Sequence, residues 1–191
     1  MIICLALVAG GVVVWLRGRT ASGPDESRAL SSAPQPPAPS GVRTLKLGDV
    51  VNLDGADFIV EGTLRLEQDG FRWEEHRLVD GERSRWLSVE DDEGLEVVVW
   101  NRSPAAGLDP GPGTIAHEGV EYALLERGHA SFTAEGSTAT APSGRMEYVE
   151  YAAGDRRLAF ERYGADAEWE LGVGAVISEH ALDIYPARER R

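Results

Sequence analysis

The residues of this sequence best suited to chemistry are aromatic side chains that stand close to acidic ones. Trp73 and Glu75 are separated by a single residue. Core packing explains spaced aromatic side chains with the fewest assumptions. The alternative is a pocket in which aromatic rings and carboxylates hold a cation by charge and cation–π attraction. The candidate ligand or partner contacts are Trp73, Glu75, Trp86, Tyr148 and Trp169.

Recognisable catalytic and metal-binding patterns are missing from the sequence. The four histidines share no metal-ligand spacing, and the acidic run at residues 90–93 lacks the alternating oxygen ligands of an EF-hand loop. We find no Gly-x-Ser-x-Gly elbow, phosphate-binding loop or dinucleotide fingerprint. The small, polar segment 134–144 is interpreted as a mobile hairpin tip. We therefore predict no catalytic residue, no metal site and no cofactor, and a protein that is not an enzyme.

Composition narrows the possible partners. The 191 residues carry a formal net charge of −13, and Lys46 is the only lysine. Nucleic-acid binding is not expected, because it requires a basic surface. The single cysteine, Cys4, excludes an intrachain disulfide framework.

The N-terminal part differs sharply from the rest. Residues 1–16 contain no charged side chain, and Arg17 and Arg19 follow directly. This pattern predicts a transmembrane anchor, short for a bilayer core of about 30 Å. A cleaved signal peptide is the weaker alternative, because the basic residues follow the apolar run. Since positive charge beside a span stays in the cytoplasm, we expect the N-terminus outside and the following domain in the cytoplasm.

Composition and patterning divide the chain into four segments. Residues 17–43 form a linker rich in Pro, Ser and Ala, which favours extended conformations. Residues 44–186 show short alternating apolar and polar runs between Gly turns, such as Asp54-Gly55 and Asp69-Gly70. A period of two with such turns predicts strands joined by hairpins. Residues 187–191 form a charged tail, so the fold class is all-β after one N-terminal helix.

The two halves of this domain resemble each other, at about residues 44–105 and 113–186. The stretch from Gly55 to Phe58 matches the stretch from Gly119 to Tyr122 in glycine, acid and aromatic ring. We predict two tandem antiparallel meander or barrel-like repeats that share one core, because a half of this size alone has a thin core.

Several of these features also resemble a known family. The stretches Leu47-Gly-Asp-Val50, Phe58-Ile-Val-Glu-Gly62, Trp73-x-Glu75 and Arg85-Trp-Leu87, with the later Tyr148, Phe160 and Trp169, are similar to the domain of unknown function 4178 family over about residues 45–185. The resemblance implies a bacterial protein with an N-terminal span, in an envelope-associated gene neighbourhood that includes a polyamine aminopropyltransferase-like protein. It supplies no catalytic residues.

Two functions follow as hypotheses. The first is a membrane-tethered domain that docks a protein partner at the inner leaflet; a continuous exposed apolar patch favours it. The alternative is a sensor that binds a cationic small molecule, and the gene neighbourhood implied by the resemblance suggests a polyamine. A buried carboxylate pair facing two tryptophans favours this alternative.

Overall fold

The structure, a computed structural model, describes residues 41–92, 94–104 and 107–187. These residues form eleven strands and two 3-10 turns, Val42–Thr44 and Glu179–Ala181. The strands are β1 Val50–Leu53, β2 Ala56–Gln68, β3 Phe71–Asp80, β4 Arg83–Asp91, β5 Leu95–Ser103, β6 Thr114–His117, β7 Val120–Gly136, β8 Ser143–Ala153, β9 Arg156–Tyr163, β10 Glu170–Val176 and β11 Asp183–Tyr185. The all-β prediction is confirmed.

Eight of the strands close into an antiparallel barrel. The order around it is β2, β3, β4, β5, β10, β9, β8 and β7, and β7 pairs with β2 to complete the ring. Strand β5 meets β10 from Leu171 opposite Ser103 to Val176 opposite Val98. Strands β1 and β11 extend the sheet beyond β2, and β6 extends it beyond β7.

A β-bulge in β2 allows this strand to pair with two different strands, β1 and β7, along the same edge. The register against β3 shifts between Val60 and Gly62. The part of β2 before this bulge pairs with β1, and the part after it pairs with β7. A Cβ atom at Gly62 would lie 2.5 Å from the carbonyl oxygen of Ser137. Only glycine therefore allows this approach of β7 to β2.

The hairpin turns follow the local sequence. Asp54 and Gly55 have φ angles of 54° and 77°, and Asp69 and Gly70 have φ angles of 52° and 93°. Two consecutive positive φ angles are typical of the type I′ turns that suit the twist of paired strands. The sequence thus sets the ends of β1, β2 and β3.

Alternation along β4 separates an apolar outer face from an inner face that lines a cavity. On β4, Leu87 and Val89 pack in an apolar cluster that also contains Val42 and Leu182. Their neighbours Ser88 and Glu90 point to the other face and line a cavity. Because side chains alternate across a strand, the same strands build an apolar layer outside the barrel and, inside it, a polar cavity lining beside a second apolar cluster that contains Leu64, Leu66 and Phe132.

The folded part extends slightly beyond the predicted limits of residues 44–186. Val42 is 2% exposed, and the backbone N–H of Ala187 donates to Asp49 Oδ1. The segment 134–144 is anchored, contrary to its interpretation as a mobile tip. Thr138 is 2% exposed, and the N–H of Ser137 donates to the carbonyl of Glu61.

The predicted anchor at residues 1–16 and all of the linker before residue 41 lie outside the described residues. In the part of the chain that is described, no helix has the length and apolar character needed to cross a bilayer.

Candidate functional site

Two adjoining cavities lie inside the barrel. We call the larger one, of about 50 Å³, the acidic cavity, and the smaller one, of about 40 Å³, the neighbouring cavity. The acidic cavity is lined by Phe71, Trp73, Glu75, Ser88, Glu90, Glu96, Val98, Trp100, Glu126, Met146, Tyr148, Glu150, Ala159 and Glu161. The neighbouring cavity is lined by Glu75, Trp86, Trp100, Asn101, Arg102, Ala159, Glu161, Tyr163, Glu170, Leu171 and Gly172. Glu75, Trp100, Ala159 and Glu161 are common to both.

The carboxylates of Glu75 and Glu161, the deep pair, stand where the two cavities meet. The indole Nε1–H of Trp73 donates to Glu75 Oε1 over 3.1 Å, and the hydroxyl of Tyr163 donates to Glu161 Oε2 over 3.0 Å. Glu75 is 8% exposed. Among the described residues, no Arg, Lys or His side chain lies within ion-pair distance of either carboxylate.

Burial without a counter-ion changes the protonation of the deep pair. Burial raises the pKa of Glu75 well above its usual range, and the charge of Glu161 raises it further. Burial also raises the pKa of Glu161, against the lowering effect of the hydrogen bond from Tyr163. Burial and the repulsion between the two carboxylates therefore favour retention of a proton at this site.

A second acidic group in the lumen has its own cation. We call Glu96, Glu150 and Arg157 the arginine-bound group. Arg157 Nη2 lies 2.9 Å from Glu96 Oε2, and Arg157 Nε lies 3.4 Å from Glu150 Oε1 without forming an aligned hydrogen bond. Burial, with the charge of Glu126, raises the pKa of Glu150 to about 8, although Arg157 opposes this shift.

Trp100 forms a wall of both cavities because the facing strand has glycines opposite it. A Cβ atom at Gly174 would lie 2.5 Å from the Trp100 ring, and one at Gly172 would lie 3.3 Å from it. The Trp100 Nε1–H donates to Ser88 Oγ over 2.9 Å, which fixes the ring. The two glycines therefore make room for an indole inside the barrel.

Tyr148 joins the lumen wall to β2. Its hydroxyl donates to Gln68 Oε1 over 3.1 Å, and its ring packs edge-on against Trp73 with centroids 5.9 Å apart. Burial and the charge of Glu126 raise the pKa of Tyr148 to about 12. At neutral pH it is a neutral hydrogen-bond donor.

The structure brings together four of the five candidate contacts from the sequence. Trp73, Glu75 and Tyr148 line the acidic cavity, and Trp86 lines the neighbouring one. Trp169 lies elsewhere. Its ring packs edge-on against Phe160 with centroids 6.5 Å apart, and the guanidinium of Arg162 stands 4.6 Å from the ring centre.

Sequence reasoning missed Glu161 and several further lumen residues, although a signal for them exists. Three strands carry an acid and an aromatic ring two residues apart: Trp73 with Glu75, Tyr148 with Glu150, and Glu161 with Tyr163. Residues at this spacing share one face of a strand. This repeated pairing predicts an acidic aromatic face, whereas each aromatic residue taken singly does not.

Comparison with known proteins identifies relatives without a described activity. A family model named Domain of unknown function (DUF4178) matches residues 46–179. Uncharacterized proteins of Mycobacterium bovis and Mycobacterium tuberculosis are each 34% identical over 201 residues, covering 98% of this chain and 95% of theirs. No solved structure matches the chain. The chain belongs to the DUF4178 family.

Proposed function

We propose that this protein is a sensor that binds a small organic cation inside its barrel. The observation that carries this proposal is the deep pair, Glu75 and Glu161, which lacks a cation in the described part of the chain and shares its cavities with Trp73, Trp86 and Trp100. Carboxylates supply charge, and indole rings attract a cation through their faces. An ammonium group would remove the cost of burying two acids close together.

Cavity size restricts the kind of cation. Volumes of about 50 and 40 Å³ each hold only a few water molecules. A narrow alkyl chain with an ammonium group suits this space better than a bulky ring. Polyamines, which the family resemblance suggests, are narrow chains of this kind.

Docking of a protein partner is a second candidate. Val50 pairs with Ile59 on one side and with Tyr185 on the other, so the three side chains form a row outside β2, β1 and β11. Ile59 is 49% exposed and Tyr185 is 50% exposed. A stable interface buries about 800 Å² on each partner, which is far more than three side chains offer. Cation binding is therefore the better-supported function.

We further propose that the all-β domain consists of two tandem repeats that share one core, and that an N-terminal helix attaches it to the membrane. Strands β1 to β5 and β6 to β10 each form a meander of five consecutive strands. The uncharged residues 1–16, followed by Arg17 and Arg19, support a single span with the N-terminus outside and the barrel in the cytoplasm. An acidic barrel is repelled by anionic lipid, so it stands away from the inner leaflet.

The test is calorimetry of the full-length protein in detergent with n-butylamine and 1,4-diaminobutane as probes, and n-butanol as the uncharged control. We expect both amines to bind and n-butanol not to bind. Glu75→Gln should weaken amine binding by about 30-fold or more, because it removes one partner from a buried charge pair.

Glu82→Gln is the matched control, because Glu82 is exposed in the turn between β3 and β4. It should leave amine affinity unchanged. Failure of both amines to bind at millimolar concentration would overturn the proposal. Equal affinities for the wild type, Glu75→Gln and Glu161→Gln would do the same.

A further inference from the structure

We infer that the ligand's nitrogen carries N–H groups and takes the place of a proton held between Glu75 and Glu161, so that binding releases this proton to solvent. The inference rests on the proposed function and deepens it, since it states both the class of amine and the exchange that accompanies binding.

The hydrogen bonding of the deep pair requires donors from the ligand. Glu75 accepts from Trp73 through Oε1, and Glu161 accepts from Tyr163 through Oε2. Within the described residues, the second oxygen of each carboxylate has no hydrogen-bond partner. An ionised carboxylate has about four acceptor positions, and only N–H or O–H groups fill them. A primary ammonium offers three donors, whereas a quaternary ammonium offers none.

The surroundings supply no free positive charge to the pair. Strand β8 contributes Glu150 and Tyr148, and β9 contributes Tyr163. From β4 and β7, Glu90 and Glu126 line the acidic cavity. Strand β10 contributes Glu170, whose carboxylate is bound by Arg102 of β5. The buried guanidinium of Arg157 is held by Glu96 and Glu150. Arg102 lines the neighbouring cavity and its charge lowers the pKa of Glu161, but its guanidinium is bound by Glu170 and forms no ion pair with either acid. Within the described part of the barrel, a proton is thus the cation that can bind the pair directly.

The exchange balances in charge and atoms. In the empty site, one carboxyl keeps its O–H bond and the other carboxylate is ionised. When an alkylammonium enters, that O–H bond breaks, the proton passes to the buffer, and the ammonium N–H groups donate to both carboxylates. The site keeps the same net charge, so the cost of burying it does not rise. Burial and mutual repulsion, which raise the pKa of both acids, support a proton at this position.

The first measurement needs no ligand. Infrared difference spectra of the full-length protein at pH 7 report the C=O stretch of buried protonated carboxyl groups. We expect this band in the wild type and a loss of intensity in Glu75→Gln and in Glu161→Gln, with no change in Glu82→Gln. Spectra that are identical for all four proteins would overturn the inference, even if amines bind.

The second measurement is calorimetry of n-butylamine binding in phosphate and in Tris, two buffers with different ionisation enthalpies. We expect about one proton released per amine at pH 7, and an affinity that rises by up to about tenfold per pH unit, as expected for one linked proton. Butyltrimethylammonium should bind at least about tenfold more weakly, because losing its N–H groups leaves buried acceptors unpaired.

The outcomes separate this inference from the proposed function. Binding of n-butylamine without proton release, or equal binding of the two ammonium ions, leaves cation binding in place and overturns the exchange. Absence of amine binding overturns both. If Glu75→Gln fails to fold, Glu161→Gln and the wild-type buffer comparison still decide the matter.

Discussion

The deep pair and the arginine-bound group are two pairs of glutamates inside one barrel whose negative charge is compensated in different ways. Both place two glutamates in the lumen, and burial raises the pKa of Glu75 and Glu161 in the first group and of Glu150 in the second. In the arginine-bound group the chain supplies its own cation, Arg157. In the deep pair it supplies the hydrogen-bond donors of Trp73 and Tyr163 and the charge of Arg102, which is bound by Glu170 and forms no ion pair with the two acids. A carboxylate pair with an internal cation is part of the structure, whereas a pair without one is open to a cation from outside.

Burial of the deep pair without an ion-pair partner also costs folding free energy, and the needs of folding alone do not explain why two acids stand there. Burying two acids together destabilises the folded state unless they are protonated or paired. An apolar pair at positions 75 and 161 would fill the same space without this penalty. The deep pair carries this free-energy cost, whereas the arginine-bound group avoids it through Arg157. We therefore assign ligand binding to the deep pair.

The largest effect should come from removing the internal cation. Arg157→Ala leaves Glu96 and Glu150 without their partner and should lower the free energy of unfolding by about 3 kcal/mol at pH 9, the lower end for broken buried pairs, because the Glu96 side chain is 40% exposed. Urea unfolding measures this change. Because Glu150 has a pKa of about 8, the loss should shrink at pH 6, where that carboxyl is protonated.

Arg145→Ala is the control, since Arg145 is exposed on β8. A loss for Arg157→Ala no larger than that for Arg145→Ala would show that the arginine-bound group does not depend on its cation. The comparison between the two acidic groups would then lose its basis.

The second effect concerns Trp100, which forms a wall of both cavities beside the deep pair. Gly174→Ala places a methyl group against the Trp100 ring and should cost about 1–3 kcal/mol, the usual range for overpacking. Gly172→Ala meets the same ring at 3.3 Å and should cost less. Thermal unfolding measures both. Gly113→Ala, which meets nothing within 4 Å, is the control. Equal costs at positions 172 and 174 would contradict the placement of Trp100.

The sequence predicts the strands and turns of this protein better than it predicts which residues line the lumen. Alternation and turns such as Asp54-Gly55 are local signals, so they predict strands and hairpins well. Closure of the barrel depends on Gly62, Gly136 and the pairing of β2 with β7, which are distant in sequence. Trp169 has the same local character as Trp73, yet it packs outside the lumen. Which face of a strand turns inward depends on this long-range pairing.

The third effect separates the two groups by sign. Glu75→Gln removes a buried acid that has no ion-pair partner, so it should stabilise the protein by about 1–2 kcal/mol at pH 8, within the range found for burying an uncompensated polar group. Since the pKa of Glu75 is raised on folding, wild-type stability falls as the pH rises above the unfolded value near 4.5 and through the raised folded value. The variant should show a flatter dependence in urea unfolding between pH 5 and pH 8.

The matched variant for this third effect lies in the other group. Glu96→Gln removes a direct partner of Arg157 and should destabilise the protein at pH 8 by leaving part of the guanidinium unpaired. Opposite signs for the two substitutions would sharpen the distinction between the groups. Destabilisation by both at pH 8 would contradict it.

The smallest effect concerns the donor that holds the deep pair in place. The N–H of Trp73 lowers the pKa of Glu75, against the larger raising effect of burial. Trp73→Phe removes this donor and keeps an aromatic ring, so the pKa of Glu75 should rise further, by less than about one unit, as for the loss of one neutral hydrogen bond. The affinity for n-butylamine should then reach its plateau at a higher pH, which a pH series of calorimetric titrations measures. Trp169→Phe also removes an indole, but from outside the lumen, and should leave the pH profile unchanged. A shift of the affinity profile toward lower pH in Trp73→Phe, or equal shifts in both variants, would show that Trp73 only fills space. The pKa of Glu75 would then be set by burial and neighbouring charges without this hydrogen bond.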